Sequence, residues 1–527
     1  MRKAGAFLSM VLAVASAVGV SAAGLGPIKT VKVGANRELR VDGRPFFPLM
    51  LWLQSDARIP DGLSIAVNTF CGNGGKLSNK AYLDKLAANG LYGVVHFDEA
   101  AIGHPHLLGW IHGDEPDLPT QKSRAQVVPA PGLRINRRTP LWRILDGVTH
   151  SWSVLDPMAG AKVTFKLPDP VTADSLGVWL TISKGLAVAK EVVFLGDGKQ
   201  ILTATLASKK GRQKLPLAAP ATFRELTFRV VSTYPGEQVW GSIGEIQAYD
   251  KAGRNLILSK PYTVPRSSVE EVAAVYRKIK AADPTRPVFV TFTAYFMKAF
   301  PDKYDPATKD RLYPGYVKSC DVAGYDIYPI FGWSKPQWLG RVADGVTELR
   351  AIAGRRPLYA WIETNVGSRW VSPSRQKPLE PRHTRAEVWM AIIRGATAIG
   401  YFTHRWQPDY RQFAPTPEMR KELKRLNGQI TRLAAAILAA PAAQKIEMKM
   451  SDGLACHVKA TQLDRALYLF AQNMDLERRG TATISVDGLK AGTTVEVVDE
   501  SRRLTSQAGR FTDTFGPLAE HIYRIQP

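Results

Sequence analysis

The stretch Leu107 to Pro119, LLGWIHGDEPDLP, decides how this chain is interpreted. Its first five residues are apolar and have the length of a short buried strand. Two carboxylates, Asp114 and Glu115, follow where that strand would end, and Pro116 stops regular strand pairing there. In a barrel of parallel strands, charged residues at the C-terminal end of a strand are typical of a catalytic site. The stretch therefore predicts a barrel strand that carries catalytic acids at its end.

Seven further apolar runs have the length of strands, and they mostly alternate with helical segments. This alternation predicts parallel strands joined by crossover helices, and eight strands suit a (β/α)8 TIM barrel. The predicted strands are Phe46–Trp52, Ser64–Phe70, Leu91–Phe97, Leu107–His112, Pro287–Thr293, Asp321–Ile330, Leu358–Glu363 and Ala398–His404. The predicted helices are Asn79–Asn89, Ser267–Ala282, Trp338–Ala353, Ala386–Ala396 and Met419–Ala439. Ser55–Gly62 is too short for a regular helix, so the first crossover is the least well defined.

Two regions depart from this alternation. Residues 124–260 and residues 442–527 both consist of short segments with strand-like patterning, which predicts two separate β units. The first unit begins where the loop after the fourth strand would be, a position that tolerates insertions. The predicted order is a signal peptide at 1–23, a first barrel part at 24–123, an inserted β unit at 124–260, a second barrel part at 261–441 and a C-terminal β unit at 442–527.

The first residues have the organisation of a secretory signal peptide. Arg2 and Lys3 precede an apolar run, Ala6–Val20, and small residues at 21–23 suit cleavage. The apolar run is shorter than the ~20 residues needed to span a bilayer. The sequence therefore predicts export to the periplasm or the extracellular space, and a mature chain without a membrane span.

The chain is strongly basic, with a formal net charge of +23 that includes Arg2 and Lys3 of the predicted signal peptide. Such a charge is compatible with nucleic acid, an anionic surface or an acidic polysaccharide. The basic residues are dispersed rather than gathered in long runs, which argues against nucleic acid as a partner. The three cysteines, Cys71, Cys320 and Cys456, lack the close spacing of a zinc site, and we interpret them as buried thiols.

A second stretch, Leu358–Asn365 (LYAWIETN), places Glu363 at the end of the seventh predicted strand. With Asp114-Glu115-Pro116 after strand four and Trp361-Ile362-Glu363-Thr364 at the end of strand seven, the barrel resembles the retaining glycoside hydrolases of clan A. The resemblance implies that Glu115 is the acid/base and Glu363 the nucleophile for a β-glycosidic bond, with no cofactor required. Two carboxylates suit this chemistry, because one protonates the leaving oxygen while the other attacks the anomeric carbon from roughly 5–5.5 Å away.

Other residues at the predicted strand ends are assigned to substrate binding. The clan usually has Asn where this chain has Asp114, and that Asn hydrogen-bonds the 2-hydroxyl of the sugar; an ionised Asp can accept but not donate such a bond. By the clan's pattern, Tyr328 rather than Tyr325 supports the nucleophile, and Trp406 forms the floor of a sugar subsite. Purely structural roles stay open for the remaining candidates, which are Trp52, Asn68, His96 and His404.

The inserted β unit resembles the discoidin, or coagulation-factor C-domain, jelly roll. The resemblance is carried by LWRILDGVTHSW at Leu141–Trp152 and SIGEIQAYD at Ser242–Asp250. The calcium loop of that family usually reads Leu-Asp-Gly-Asp; Asp146 matches, Val148 replaces the second Asp, and Glu245 matches the distal acidic position. The resemblance implies a structural calcium ion near Asp146 and Glu245. Glycan binding by this unit and a purely architectural role both remain open.

Together these features predict an α/β protein, a (β/α)8 TIM barrel with an inserted β-sandwich jelly roll and a C-terminal β-sandwich. The predicted function is an exported glycoside hydrolase acting on a carbohydrate substrate. A non-catalytic carbohydrate-binding or scaffold protein, an inverting glycosidase and a binder of anionic polymers remain as alternatives.

Overall fold

The computed structural model describes residues 24–526, so the predicted signal peptide at 1–23 lies outside the described residues. These residues form two compact units. One comprises the residues up to 118 and from 266 onward, and the other comprises residues 119–265. Among residues 24–526, no helix combines the length and the apolar character needed to span a bilayer.

The first unit contains a closed barrel of eight parallel strands, as the sequence predicts. Each strand pairs in parallel with the next, and the eighth closes on the first. In chain order the barrel strands are β1 (Leu49–Gln54), β2 (Thr69–Asn73), β3 (Tyr92–His96), β4 (Leu107–Ile111), β5 (Val288–Thr293), β6 (Val322–Asp326), β7 (Leu358–Glu363) and β8 (Ala398–Phe402). The C-terminal ends of these strands therefore lie at one end of the barrel, which we call the mouth.

Helices occur between and after the barrel strands. They are α1 (Ile59–Ser64), α2 (Asn79–Ala88), α3 (Val269–Ala282), α4 (Pro306–Val317), α5 (Arg341–Ala353), α6 (Pro381–Ile393) and α7 (Pro417–Ile437). Ser268 begins α3 with a capping box, because its hydroxyl accepts from the Glu271 amide and the Glu271 carboxylate accepts from the Ser268 amide. The sequence analysis missed α4, whose helical pattern is interrupted by Pro314.

Large aromatic side chains fill the barrel interior. Tyr359 and Trp361 of β7 point inward, and the Thr291 hydroxyl of β5 hydrogen-bonds both of them at 2.8 and 3.0 Å. The facing glycines are required, because a methyl group at Gly324 would overlap the Tyr359 ring. Since side chains alternate along a strand, Glu363 lies on the same inner face as Tyr359 and Trp361.

The remaining strands form antiparallel sheets. In residues 119–265, a seven-stranded sheet comprises Gln126–Pro129, Ser153–Leu155, Lys162–Leu180, Glu191–Gly196, Lys199–Thr205, Gly211–Val230 and Gly241–Tyr249. At the C-terminus, one sheet comprises Ala440–Pro441, Cys456–Leu463, Ala466–Asn473, Thr494–Val497, Arg502–Thr505 and Glu520–Ile525, and the other comprises Ile446–Met450, Gly480–Val486 and Arg510–Phe515. The two C-terminal sheets share one apolar core. A three-stranded sheet, Val31–Val33, Leu39–Val41 and Arg44–Phe46, precedes the barrel.

All three cysteines are free thiols. Cys71 and Cys320 are buried, as the sequence predicts, and Cys456 is half-buried.

Candidate active site

The chain makes a strained turn directly after β4. Glu115 has a φ of 47°, in the left-handed region that few residues other than glycine adopt. Strain of this kind persists only where the surroundings hold it, and it occurs preferentially at functional sites. The turn is held by the Leu118 amide, which donates to the Glu115 carbonyl at 3.1 Å. The backbone therefore fixes the position from which the Glu115 side chain leaves the barrel mouth.

A second acid, Asp326 at the end of β6, meets Glu115 at this mouth. The two carboxyl groups lie within hydrogen-bonding reach of each other. The pKa of Asp326 is raised well above its ordinary value by burial and then by the charges of Glu115 and Asp114, and burial followed by the charge of Asp117 raises the pKa of Glu115. Two carboxyls in contact cannot both ionise easily, so ionisation of one raises the pKa of the other.

Asp114 is a third acid at the mouth, and its surroundings change its hydrogen-bonding capacity. Burial, and next the charge of Glu115, raises the pKa of Asp114 to about 7, while Arg266 opposes the shift. The Arg266 guanidinium donates to the Asp114 carbonyl at 2.6 Å and lies 3.5 Å from a Glu115 carboxylate oxygen. A protonated Asp is a hydrogen-bond donor. Near neutral pH, therefore, Asp114 is able to donate like the Asn that it replaces in the clan pattern.

Asp117 anchors the turn to the rest of the barrel. It is completely buried and accepts hydrogen bonds from the Thr293 amide at 3.0 Å, the Thr293 hydroxyl at 2.6 Å and the Tyr313 hydroxyl at 2.8 Å. Its carbonyl accepts from Tyr304 at 2.6 Å. These bonds tie the segment after β4 to the end of β5, so Asp117 positions the turn rather than facing a ligand.

Glu363, the predicted nucleophile, lies in a closed setting. Its side chain is 0% exposed, and its carboxylate accepts from the Ile330 amide at 2.9 Å and the Phe331 amide at 2.6 Å. The buried carboxyl of Glu387 on α6 lies within hydrogen-bonding reach of it. Burial raises the pKa of Glu363 to about 7, the two amides oppose that shift, and burial raises the pKa of Glu387 further. Their contact raises the pKa of Glu387 and lowers that of Glu363, which makes Glu387 the donor of the pair.

Tyr328 lies between the two acidic pairs. Burial and the charges of Asp326, Asp114, Glu115 and Glu363 raise the pKa of its hydroxyl well above the usual value. Tyr325 points away from this group, because its hydroxyl donates to the Val342 carbonyl at 2.5 Å. Of the two tyrosines that the sequence leaves hard to separate, Tyr328 is the one near the acids.

An aromatic surface extends from the end of β8. The Trp406 ring stacks on Phe402 with a centroid distance of 5.6 Å and an interplanar angle of 20°. Trp370 and Tyr410 lie against Trp406 at 5.5 and 6.5 Å, and they are 54% and 58% exposed. Exposed rings of this kind suit stacking against the apolar faces of sugars. The sequence analysis named Trp406 but missed Trp370 and Tyr410, whose only signal is an aromatic residue in a polar loop after a barrel strand.

His404 belongs to the same aromatic group. It is 3% exposed, and neither ring nitrogen makes a hydrogen bond of good geometry. Burial lowers its pKa to about 4, with the Leu53 backbone opposing the shift, so the imidazole is neutral. A buried ring nitrogen without a partner at a site mouth is suited to a hydrogen bond from a ligand.

The neighbours of three other predicted residues are backbone groups, an aromatic ring and a histidine. Asn68 is not brought to the mouth: it precedes β2, accepts from the Leu49 amide at 2.8 Å and donates to the Phe47 carbonyl at 3.0 Å, so it joins the beginnings of β1 and β2. Its assignment to substrate binding is therefore corrected to a structural one. Trp52 packs edge-on against Trp361 at 5.0 Å inside the barrel. His96 ends β3 and lies near His112.

The predicted calcium residues meet in the second unit. Asp146 and Glu245 are both buried, and their carboxyl groups lie close to each other. Burial and then this contact raise the pKa of Glu245 to about 8, and one Glu245 oxygen has no partner. An orphaned, buried carboxylate oxygen fits a cation. Within residues 24–526, however, no three His, Cys, Asp or Glu side chains are grouped as a metal site would need.

Parts of this chain are similar to solved structures at low sequence identity. The CBM32-1 and CBM32-2 domains of Clostridium perfringens ZmpB align at 14% identity over 26% of this chain and 42% of that chain, with a TM-score of 0.21. The family 32 CBM of C. perfringens NanJ, in complex with galactose, aligns at 11% identity over 24% of this chain and 97% of that chain, with a TM-score of 0.20. An Anoxybacillus alpha-amylase aligns at 9% identity over 50% of this chain and 57% of that chain, with a TM-score of 0.32.

These similarities are partial. This chain spans about two fifths of the ZmpB structure and just over half of the amylase. No family model and no curated protein matches the sequence.

Proposed function

We propose that this chain is an exported glycoside hydrolase that cleaves β-glycosidic bonds by a retaining two-carboxylate mechanism. In this proposal the parallel barrel is a (β/α)8 barrel, residues 124–260 are an inserted discoidin-like β-sandwich, and residues 442–527 are a C-terminal β-sandwich. Glu115 is the acid/base and Glu363 is the nucleophile. The predicted signal peptide at 1–23 is the ground for export to the periplasm or beyond.

The observation that carries the proposal is the contact between the Glu115 and Asp326 carboxyl groups at the barrel mouth. Protonation of a glycosidic oxygen needs an acid that holds its proton, and burial together with the charge of Asp117 raises the pKa of Glu115 in that direction. Glu115 is the member of the pair that leads toward solvent, with a side chain 22% exposed. After departure of the leaving group, the same carboxylate takes a proton from the incoming water.

The contacts of Glu363 favour the charge state of a nucleophile, but they leave no carboxylate oxygen exposed to a sugar. Two backbone amides and the proton on Glu387 favour the ionised carboxylate that attack requires. The same contacts occupy its oxygens. Attack on the anomeric carbon therefore requires one Glu363 oxygen to exchange an amide partner for the sugar, and this exchange is the step on which retention depends.

Glu363→Gln and Glu363→Gly test the proposal on a panel of aryl β-glycosides and β-linked polysaccharides. We expect turnover to fall by about three orders of magnitude or more in both. Azide should restore turnover of Glu363→Gly and yield an α-glycosyl azide, because the small anion enters from the face that the carboxylate leaves. Glu99→Gln, a change at an exposed position after β3, is the matched control.

Full activity of Glu363→Gln would remove Glu363 from the mechanism. An inactive Glu115→Gln together with no azide product from Glu363→Gly would favour the inverting alternative, whose carboxyls are roughly 6.5–9.5 Å apart with a water between them.

The second candidate function is non-catalytic carbohydrate binding on the same barrel. It is favoured by one observation, the closed setting of Glu363, which offers no exposed oxygen to a sugar. This candidate predicts glycan binding by the wild-type chain without release of reducing ends from any member of the panel.

A structural calcium ion is the remaining proposal for the second unit. Asp146 and Glu245 would hold it, and the ion would supply charge neutralisation for two adjacent buried carboxylates. It takes no part in the chemistry at the barrel mouth.

A further inference from the structure

Arg369, on the loop after β7, is placed differently from the other cations near the mouth. Its guanidinium carbon lies 5.1 Å from the ring centroid of Trp370 and 5.1 Å from that of Trp406. Among the ion pairs found within residues 24–526, none involves Arg369. Arg405 and Arg411, by contrast, both pair with Asp409. Arg369 is thus an exposed charge held on two indole rings.

The chemistry of a guanidinium on aromatic rings favours an anionic ligand. Contact with a ring uses the flat face of the guanidinium and leaves the N–H groups along its edge available. Those N–H groups form a fork that matches the two oxygens of a carboxylate and equally the oxygens of a sulfate. The rings also restrict the side chain before the ligand arrives, which lowers the entropy cost of binding.

The same guanidinium lies close to the proposed acid. Arg369 and Arg266 both lower the pKa of Glu115, which opposes the protonated state that an acid needs. Two cations beside a general acid are therefore a disadvantage unless the substrate brings negative charge that neutralises them. The net charge of +23 would draw such a substrate toward the protein as a whole.

We propose that the barrel mouth binds a carbohydrate whose sugar units carry an anionic group, a uronate carboxylate or a sulfate ester, and that Arg369 on the Trp370–Trp406 surface recognises that group. The position of the scissile bond beside Glu115 rests on the proposed function. The recognition by Arg369 does not, because it concerns binding alone.

Binding to matched pairs of soluble polymers tests this inference by isothermal titration calorimetry on the full chain. Each β-linked polyuronate is compared with its carboxyl-reduced form, and each sulfated polysaccharide with its desulfated form, so that only the charge differs. The proteins are wild type, Arg369→Gln, Arg369→Lys and Arg411→Gln. Arg411 is the matched control, since it is an exposed arginine of the neighbouring loop whose charge already pairs with Asp409.

We expect wild type to bind one class of charged polymer at least tenfold more tightly than its neutral form, and the class bound identifies carboxylate or sulfate as the group. Arg369→Gln should weaken that binding about tenfold to hundredfold, as for loss of a charge-assisted hydrogen bond. The affinity of Arg369→Lys should lie between those of wild type and Arg369→Gln, because lysine keeps the charge and loses the fork of N–H groups. Arg411→Gln should change binding less than twofold.

Equal affinity for the charged and neutral forms would overturn the inference, and so would equal losses in Arg369→Gln and Arg411→Gln, which would indicate diffuse attraction. The melting temperature of each variant shows whether it folds. If binding follows Arg369 while no polymer is cleaved, the inference stands and the hydrolase proposal fails. If neutral β-glycans are cleaved in a Glu115-dependent way and Arg369→Gln behaves as wild type, the hydrolase proposal stands and the inference about Arg369 fails.

Discussion

Two pairs of acids each contain a glutamate at or just after the C-terminal end of a barrel strand, and they are built in opposite ways. Glu115 and Asp326 meet at an open mouth, on a strained turn, beside exposed aromatic rings and two arginines. Glu363 and Glu387 meet in a buried site, where the Ile330 and Phe331 amides donate hydrogen bonds to the Glu363 carboxylate. Each pair brings two carboxyl groups together, but only the first has a member, Glu115, that a ligand can reach without rearrangement. The segment packed over a glutamate at a strand end thus decides whether its carboxyl group can react with a ligand.

The largest expected effect comes from removing the open acid. Glu115→Gln cannot donate a proton, so we expect kcat to fall by about 10²- to 10⁴-fold on substrates with poor leaving groups. The loss should be much smaller for dinitrophenyl glycosides, whose leaving group departs without protonation. Steady-state kinetics across a series of leaving-group pKa values measures this difference, with Glu99→Gln as the control. Equal losses across the series would contradict the role of Glu115 as an acid.

The closed pair should show its effect in stability. Glu387→Ala leaves the buried Glu363 carboxylate without its proton donor, and we expect a loss of about 3–5 kcal/mol in the free energy of unfolding. Glu387→Gln keeps a donor of the same shape and should cost much less. Denaturant unfolding followed by tryptophan fluorescence measures both. Equal stability of the Ala and Gln variants would show that the hydrogen bond to Glu363 contributes nothing.

The closed pair also predicts the sign of a pH effect. Folding raises the pKa of Glu363 from 4.5 to about 7 and that of Glu387 further, so the folded state holds protons that the unfolded chain releases. The resulting stability is complete below pH 4.5 and is lost as pH rises through 7. Wild type should therefore lose more stability than Glu387→Gln between pH 5 and pH 8.

The barrel and the position of Glu115 follow from local sequence patterns, and the partners of the acids do not. Apolar runs of strand length recur for all eight strands, and Asp326 ends β6 as Glu115 follows β4. The second predicted strand began too early. Ser64 ends α1 and Ala66 adopts a left-handed backbone conformation, but the apolar residues around them give no sequence signal of a turn. The strand at β6 was predicted too long, since after Asp326 the chain leaves the sheet and carries the Ile330 amide to Glu363.

The closed setting of Glu363 was outside the reach of sequence reasoning for a physical reason. Glu387 lies on α6 among apolar residues, where a helical pattern indicates only a polar position on a buried helix. Its contact with Glu363 joins residues that are 24 positions apart through the packing of a helix against the barrel. The contact between Glu115 and Asp326 likewise depends on the closure of the barrel across β5.

The smallest expected effect comes from changing Asp326, and it distinguishes the open pair from the closed pair most directly. Asp326→Asn leaves Glu115 as the only titrating carboxyl of the open pair, and the raised upper pKa that two sharing carboxyls produce disappears. Because Glu115 must be protonated to act, activity is lost as pH rises through this pKa, so the alkaline limb of the kcat profile should move to lower pH. Glu387→Gln should leave the alkaline limb in place, because its proton is shared with Glu363 and not with the acid. A profile of Asp326→Asn that superimposes on wild type would mean that Glu115 holds its proton without Asp326, and the open pair would then be a contact without a catalytic consequence.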